Sequence, residues 1–372
     1  MKFVVHRNQI LQKVQFINSI VPVRNPLQIL TNILLEANSE KGTIRLAATD
    51  LEVSAITEVE CNIIESGKIA IPAKNFTDII RALPDDDIHC ELDNQMLNIS
   101  CQHSEFSLIY ADPNDFPEIP DREWDKGFIM DAALFSKVIE KTSFAVSEHI
   151  GRPAFSGLLW ELDEKKQKIV ATDGKRLSKY ETALDLDTDK IDIIMPIKGV
   201  NLVRRIIHPE QPNITILPEE SAISFEYDSY KIYSRLIEAN YPDYEAVIPY
   251  DNTKIIEIEV EPFIKAIQRV SLLASEDNFK VAITFSDNKI TIHSEDIDKG
   301  SAEEILEVEN DFDKFQIGFN YKYLLEILNL IDTDFVQLKL ENSLDPCLFY
   351  NIEYPENQNN LFLLMPLRLA SE

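Results

Sequence analysis

The chain has 372 residues, 64 acidic against 36 basic side chains, a formal net charge of −28, and 45% hydrophobic residues. That length exceeds one ordinary core and predicts two or three globular domains, while no apolar run approaches the ~18 residues that span a bilayer. Nine glycines with no GxxxxGK or GxGxxG argue against a phosphate-cradling loop. Four cysteines without CxxC spacing (Cys61, Cys90, Cys101, Cys347) predict reduced thiols in a cytoplasmic protein. The opening MKFVVHRNQILQKVQF has no apolar stretch with a cleavage site, so no signal peptide is expected.

In chain order, the first third predicts helices at 7–20 and 73–83. A Pro- and Asp-rich connector, 111–127, follows. A strand near 127–130 leads to Asp131, an N-capping residue type, and to a helix over 131–147 with Leu134, Phe135, Val138, Ile139 and Thr142 at helical spacing. Strands are predicted at 154–162, 167–172 and 176–182, with Asp173-Gly174 supplying hairpin chemistry between the last two. The pattern then restarts: a strand at 190–195, a helix at 197–208, and strands at 213–217, 222–227 and 230–237. A second connector, 239–253, carries Tyr241-Pro242 where the first carries Phe116-Pro117. The last third predicts helices at 261–274 and 320–331.

Two markers recur at a fixed spacing. Asp50, Asp173 and Asp296 lie 123 residues apart; Lys74, Lys198 and Lys322 lie 124 apart, and three times 124 is the whole chain. A fixed period of this kind marks repeated domains. The expected fold is α+β: three tandem copies, 1–125, 126–253 and 254–372, each two β-α-β-β-β halves.

Charge is segregated on this pattern. The six helical windows hold twelve lysines and arginines against five acids, a net +7, which leaves −35 on the rest. Lys137 and Lys141, Lys198 and Arg205, and Lys265 and Arg269 share helix faces. Solvated surface charge explains any one helix. All six together predict a positive surface suited to a phosphate backbone, with an acidic exterior.

The residues resemble the bacterial DNA sliding clamp, the DNA polymerase III beta subunit. The resemblance runs end to end, through MKF, Arg24-Asn25-Pro26, ATDL at 48–51, VATDGKRL at 170–177, NYPDY at 240–244, IGFN-x-x-Y at 317–323 and MPLRL at 365–369. It implies a head-to-tail homodimer forming a ring around duplex DNA, helices inside and sheets outside, opened by a clamp-loader ATPase. It implies no catalytic site, cofactor or metal. It further implies a groove that takes short apolar peptides from polymerases, the loader and repair proteins. That groove maps to Phe155, Thr172, Gly174, Lys175, Arg176, Leu177, Pro242, Val247, Phe279, Asn320, Tyr323, Leu344, Pro346, Leu363, Leu364, Met365, Pro366, Leu367 and Arg368. For DNA the expected contacts are Arg24, Lys137, Lys141, His149, Arg152, Lys198, Arg205, Lys265 and Arg269. For the dimer contact they are Phe106, Leu272, Leu273, Glu303 and Glu304. The chain departs from the family pattern at Ala246 and Lys175, where arginine and histidine are frequent, and at His103 and Glu105, where arginines often flank the interface phenylalanine.

Two rival readings are open at this point. An enzyme would need a motif that is missing: no HExxH, GxSxG or CxxC occurs, and the six histidines are scattered. DLDTDK at 185–190 spaces its acids like a calcium loop, but Lys190 and Pro196 stand where that loop needs Gly and Glu. The three repeated aspartates read as turn formers rather than a catalytic trio. The second rival is an acidic three-repeat scaffold that binds proteins without encircling DNA.

Overall fold

The computed structural model describes residues 1–93, 95–147, 151–163, 165–184, 190–286, 288–310, 313–352, 355 and 358–369. His149, the 185–189 segment and the 370–372 tail lie outside the described residues. Six α-helices are described: α1 (Arg7–Asn18), α2 (Ala73–Ala82), α3 (Ala132–Ser143), α4 (Ile197–Ile206), α5 (Val260–Val270) and α6 (Tyr321–Leu328).

Each helix buries one stripe. In α1 it is Ile10, Val14 and Ile17; in α5 it is Phe263, Ala266, Ile267 and Val270. The i, i+3/i+4 spacing places these on one face, and each Phe, Leu or Ile so buried contributes roughly 1.5–3 kcal/mol. Among the described residues, side chains cap three helix starts: His6 Nδ1 accepts from Asn8 N at 3.4 Å, Asp131 Oδ1 from Leu134 N at 2.6 Å, and Asn320 Oδ1 from Lys322 N at 2.9 Å. Helix α3 is shorter than its pattern predicts. It ends at Ser143, and the chain turns so that Ser147 N donates to Phe155 O at 2.8 Å.

Contacts divide the chain into two units that cut through the middle copy: Met1–Ser136 with Lys198–Leu236, and Lys137–Ile197 with Ile237–Glu372. The first unit holds a five-stranded sheet in the order Asn62–Glu65, Lys2–His6, Asp87–Asp93, Met96–Cys101, Ser104–Ile109. Its eight-stranded sheet runs Phe128–Asp131, Asn213–Pro218, Ala222–Tyr227, Tyr230–Arg235, Val53–Glu60, Thr43–Thr49, Asn32–Asn38, Gly67–Pro72. Half of the second copy thus continues half of the first through the pairing of Val53–Glu60 with Tyr230–Arg235. Strand Asn62–Glu65 is additional to the β-α-β-β-β expectation; four residues with one half-buried side chain carry too little alternation to register.

The second unit repeats this construction. Its eight-stranded sheet runs Ile191–Pro196, Gly157–Asp163, Lys166–Thr172, Arg176–Ala183, Gln358–Leu364, Cys347–Asn351, Phe335–Leu340, Lys254–Glu259. Strand Arg176–Ala183 pairs with Gln358–Leu364, joining second-copy and third-copy strands. A four-stranded sheet, Gly300–Glu307, Lys289–Asp296, Lys280–Ser286, Phe315–Asn320, completes the unit. The core of the third copy lies between the two sheets and under α5 and α6, around Phe263, Phe285, Phe319, Phe349 and Phe362.

The three repeated aspartates build turns. Asp50 Oδ1 accepts from Glu52 N and Val53 N, Asp173 Oδ1 from Lys175 N and Arg176 N, and Asp296 Oδ1 from Asp298 N and Lys299 N. Each is an Asx turn, the geometry that short acidic side chains offer a reversing backbone.

Candidate functional site

The second unit brings several of the named side chains together on the face of its eight-stranded sheet that is turned away from α5 and α6. Leu177 faces Leu363 across the seam, and Leu348 faces Leu363 on the other side. With Leu159, Val170, Ile194 and Leu361 they form an apolar floor. The connector after Ile237 folds over one side of this floor, packing Tyr241, Tyr244 and Ile248 against it. Tyr244 donates to Glu161 Oε2 at 2.5 Å and Tyr241 to Val170 O at 3.4 Å. Burial pushes both phenols well above the usual tyrosine range. Lys179 ties the same connector down through Glu245 (3.2 Å) and the Tyr250 hydroxyl (2.8 Å). Burial works against its charge, but the bonds to Tyr250 and Glu181 outweigh that and hold its pKa above the ordinary lysine value.

Several of the other named side chains are exposed. Val247 is 53% exposed, Met365 40% and Leu344 63%; Pro242, Lys175 and Arg368 are exposed and Pro366 and Leu367 half-buried. Phe155 is half-buried, its ring 6.3 Å from Tyr241 with the Arg152 guanidinium 5.5 Å over it. Gly174 takes φ +86°, a conformation that side chains rarely adopt, at the turn bordering Phe155. Thr172 Oγ1 closes that turn by accepting from Gly174 N at 3.0 Å.

The C-terminal arm is held by backbone. Met365 N donates to Lys175 O at 2.9 Å and Leu367 N to Gly318 O at 2.8 Å. A Cβ on Gly318 would sit 2.8 Å from Leu367 O, so only glycine lets the arm lie this close. Asp173 acts as the turn former its repeat predicted, whereas Gly318 was visible in the sequence only as a letter inside a motif. Tyr244 closed the NYPDY match without an assigned role, and Ile248 carried no motif signal beyond being an apolar residue in a connector.

Other named residues have partners of their own within the fold. Leu364 joins the core under α5 and α6, on the face opposite Leu363, because successive strand residues alternate sides. Asn320 caps α6 with its side chain. Arg176 is not open to a peptide: its side chain is 11% exposed. Its Nε donates to Asp173 Oδ2 at 3.1 Å, its Nη1 to Glu326, and its guanidinium lies 4.3 Å over the Tyr323 ring. Phe279 sits beside α6 with the Lys322 ammonium 3.4 Å over its ring, and Pro346 O accepts from Asn252 Nδ2 at 3.1 Å.

The expected DNA-facing cations divide similarly. Arg24, Arg152 and Arg205 are exposed. Lys198 bonds Asp50, Lys265 bonds Glu261 at 2.5 Å, and Arg269 forks onto Glu304. Lys137 lies 3.3 Å from Asp332. Lys141 is turned inward: its side chain is 5% exposed, and its ammonium bonds Asp332 and Leu330 O. Helix periodicity put Lys137 and Lys141 on one face, but only the fold brought Asp332 to that face. Of the expected dimer residues, Phe106 (36% exposed) and Leu272 (76%) are open, and Glu304 pairs with Arg269. Cys101 is buried, 1% exposed.

Comparison with known proteins bears on the whole chain. Residues 1–120, 130–243 and 245–368 match the models of the N-terminal, central and C-terminal domains of the DNA polymerase III beta subunit. The beta sliding clamp of Vibrio cholerae is 31% identical over 99% of this chain and all of its own length, and that of Chlamydia muridarum is 29% identical over the full length of both. Among solved structures, the Pseudomonas aeruginosa sliding clamp bound to griselimycin has a TM-score of 0.91 at 28% identity, covering 99% of this chain and 100% of that one. The Bartonella birtlesii clamp bound to griselimycin has a TM-score of 0.92 at 28% identity over the same shares. Three successive domain matches over a repeated sheet-and-helix architecture leave one conclusion: the chain belongs to the DNA polymerase III beta subunit family, the beta sliding clamps.

Proposed function

We propose that two copies of this chain close head to tail into a ring around duplex DNA, and that the ring tethers a replicative polymerase to its template. The observation that carries this is a pairing made twice and left open once. A strand following an aspartate turn, Val53–Glu60 or Arg176–Ala183, pairs with the last strand of a following half-copy, Tyr230–Arg235 or Gln358–Leu364. The third strand of each kind, Gly300–Glu307 and Ser104–Ile109, is paired on one side and, among the described residues, ends its sheet on the other. Edges of this sort recruit a further strand. Joining one copy's Ser104–Ile109 to the other's Gly300–Glu307 repeats the internal seam, and two such heterologous contacts close the assembly.

The internal register sets the contact. Ile232 faces Ala55 and Phe362 faces Ser178; by the same register Phe106 of one copy faces Ala302 of the other. The half-exposed Phe106 then gains the burial that Phe362 already has, with the exposed Leu272 turn beside Gly300–Glu307 adding apolar surface. Contacts to phosphate by Arg24, Arg152 and Arg205 position without reading sequence, and retention is topological rather than a matter of affinity. The floor around Leu177 and Leu363, with Met365, Val247 and Phe155, takes the apolar anchors of a short partner peptide; the flexible Met365 adapts to several partners.

The test loads the protein onto nicked circular duplex with a clamp-loader ATPase, washes at raised salt, and linearises the circle. Retention before linearisation and loss after it is expected. Equal loss from both forms refutes encirclement.

A further inference from the structure

The same register brings two carboxylates together at the ring seam. Hairpin pairs align the strands: Ala48 with Ala55, Ala171 with Ser178 and Ser294 with Ala302. Residues 56, 179 and 303 are therefore equivalent. On the partner strand, Tyr227 pairs with Tyr230 and Cys101 with Ser104 as the last pairs before a two-residue turn, so Lys231 and Glu105 are equivalent. The internal seams set Ile56 against Lys231 and Lys179 against Leu361, one cation against one aliphatic chain each time. At the seam between copies the corresponding pair is Glu303 against Glu105.

We infer that the ring is built to close against its own charge: Glu105 of one copy directly faces Glu303 of the other, twice per ring, so the intermolecular seams are weaker than the internal ones they copy. The inference rests on the two-copy ring proposed above. Facing residues on paired strands stand roughly 5 Å apart, where like charges destabilise. Neither Ser104–Ile109 nor Gly300–Glu307 contains a lysine or arginine. Among the described residues, those directly beside the pair in its own sheets supply no fixed cation: His293 lies beside Glu303, with Glu295 next to Ser301. Ser100 lies beside Glu105, with His89 one strand further and His103 just before the strand. Glu304, on the other face, is already held by Arg269. Closure is left to the Phe106 side, and a ring that must open to admit DNA is given two seams at which opening relieves repulsion.

Sedimentation equilibrium of the full chain tests this. Glu105→Gln is expected to tighten the dimer roughly two- to thirtyfold, two seams each recovering the penalty of a like-charged facing pair. Glu105→Lys is expected to tighten it further and to reverse the effect of salt, which strengthens the unaltered dimer by screening and weakens the variant. Glu40→Gln, the same change in net charge at an exposed turn away from both edges, is expected to stay within about twofold. Unchanged or weaker association in both Glu105 variants, or equal tightening by Glu40→Gln, overturns the inference. If Phe106→Ala still loosens the dimer in that case, the ring stands and only the charge opposition fails. A chain that is monomeric at all concentrations, or indifferent to Phe106→Ala, overturns the ring itself.

Discussion

Replacing Asp332 by alanine strands the Lys141 ammonium inside the second unit. Lys141 reaches from α3 to Asp332 Oδ1 at 2.5 Å and to Leu330 O, while Lys137 approaches the other carboxylate oxygen at 3.3 Å. Removing one partner of a fully buried pair costs roughly 3–5 kcal/mol. Asp332 is 40% exposed, so water recovers part of that loss, and about 2 kcal/mol is expected for Asp332→Ala. Lys141→Met keeps the buried stem and leaves the carboxylate to Lys137 and solvent, for under about 1 kcal/mol. The double variant is expected to match Lys141→Met alone. The assay is urea unfolding followed at Trp160, a fully buried indole of the same unit, in a Trp124→Phe background. Burial opposes ionisation of Asp332, but the Lys141 bond and the two ammonium charges prevail and hold its pKa below the usual carboxylate value. Its contribution is therefore complete above the unfolded pKa and lost as pH falls through the folded one, so the gap between unaltered protein and Asp332→Ala is expected to close below roughly pH 4. A stable Asp332→Ala, or a Lys141→Met that loses more than Asp332→Ala, refutes the reasoning.

Other expectations concern the groove. Gly318→Ala drives a methyl against Leu367 O; the C-terminal arm must lift, and a fluorescein-labelled peptide with Leu and Phe anchors should bind several-fold more weakly by anisotropy. Glu326→Gln removes the charge that occupies Arg176 Nη1, and the same titration with an acidic peptide should show tighter binding. Asp173→Ala deletes the acceptor of two backbone N–H groups and of Arg176 Nε, a loss of about 1–3 kcal/mol expected in the Trp160-monitored urea midpoint.

The architecture was legible in the sequence because its determinants are local and repeated. Helical stripes such as Phe263, Ala266, Ile267 and Val270 lie within one window, and Asp50, Asp173 and Asp296 each bond amides within three residues. A threefold repetition of such signals sets element order and period without reference to distant residues. Motif matches carried most of the candidate site for a related reason: Thr172 to Leu177 and Leu363 to Leu367 are contiguous segments. What the sequence could not settle is how these segments are satisfied by residues far along the chain. Lys141 reads as a surface cation until Asp332 is brought to it, and Arg176 as a peptide clamp until Glu326 and Tyr323 enclose it. Leu364 reads like Leu363 until pairing with Arg176 decides which face each takes. Helix and turn formation are governed by neighbours a few residues apart, whereas the state of a charge or the side of a strand depends on partners that only the folded sheet supplies.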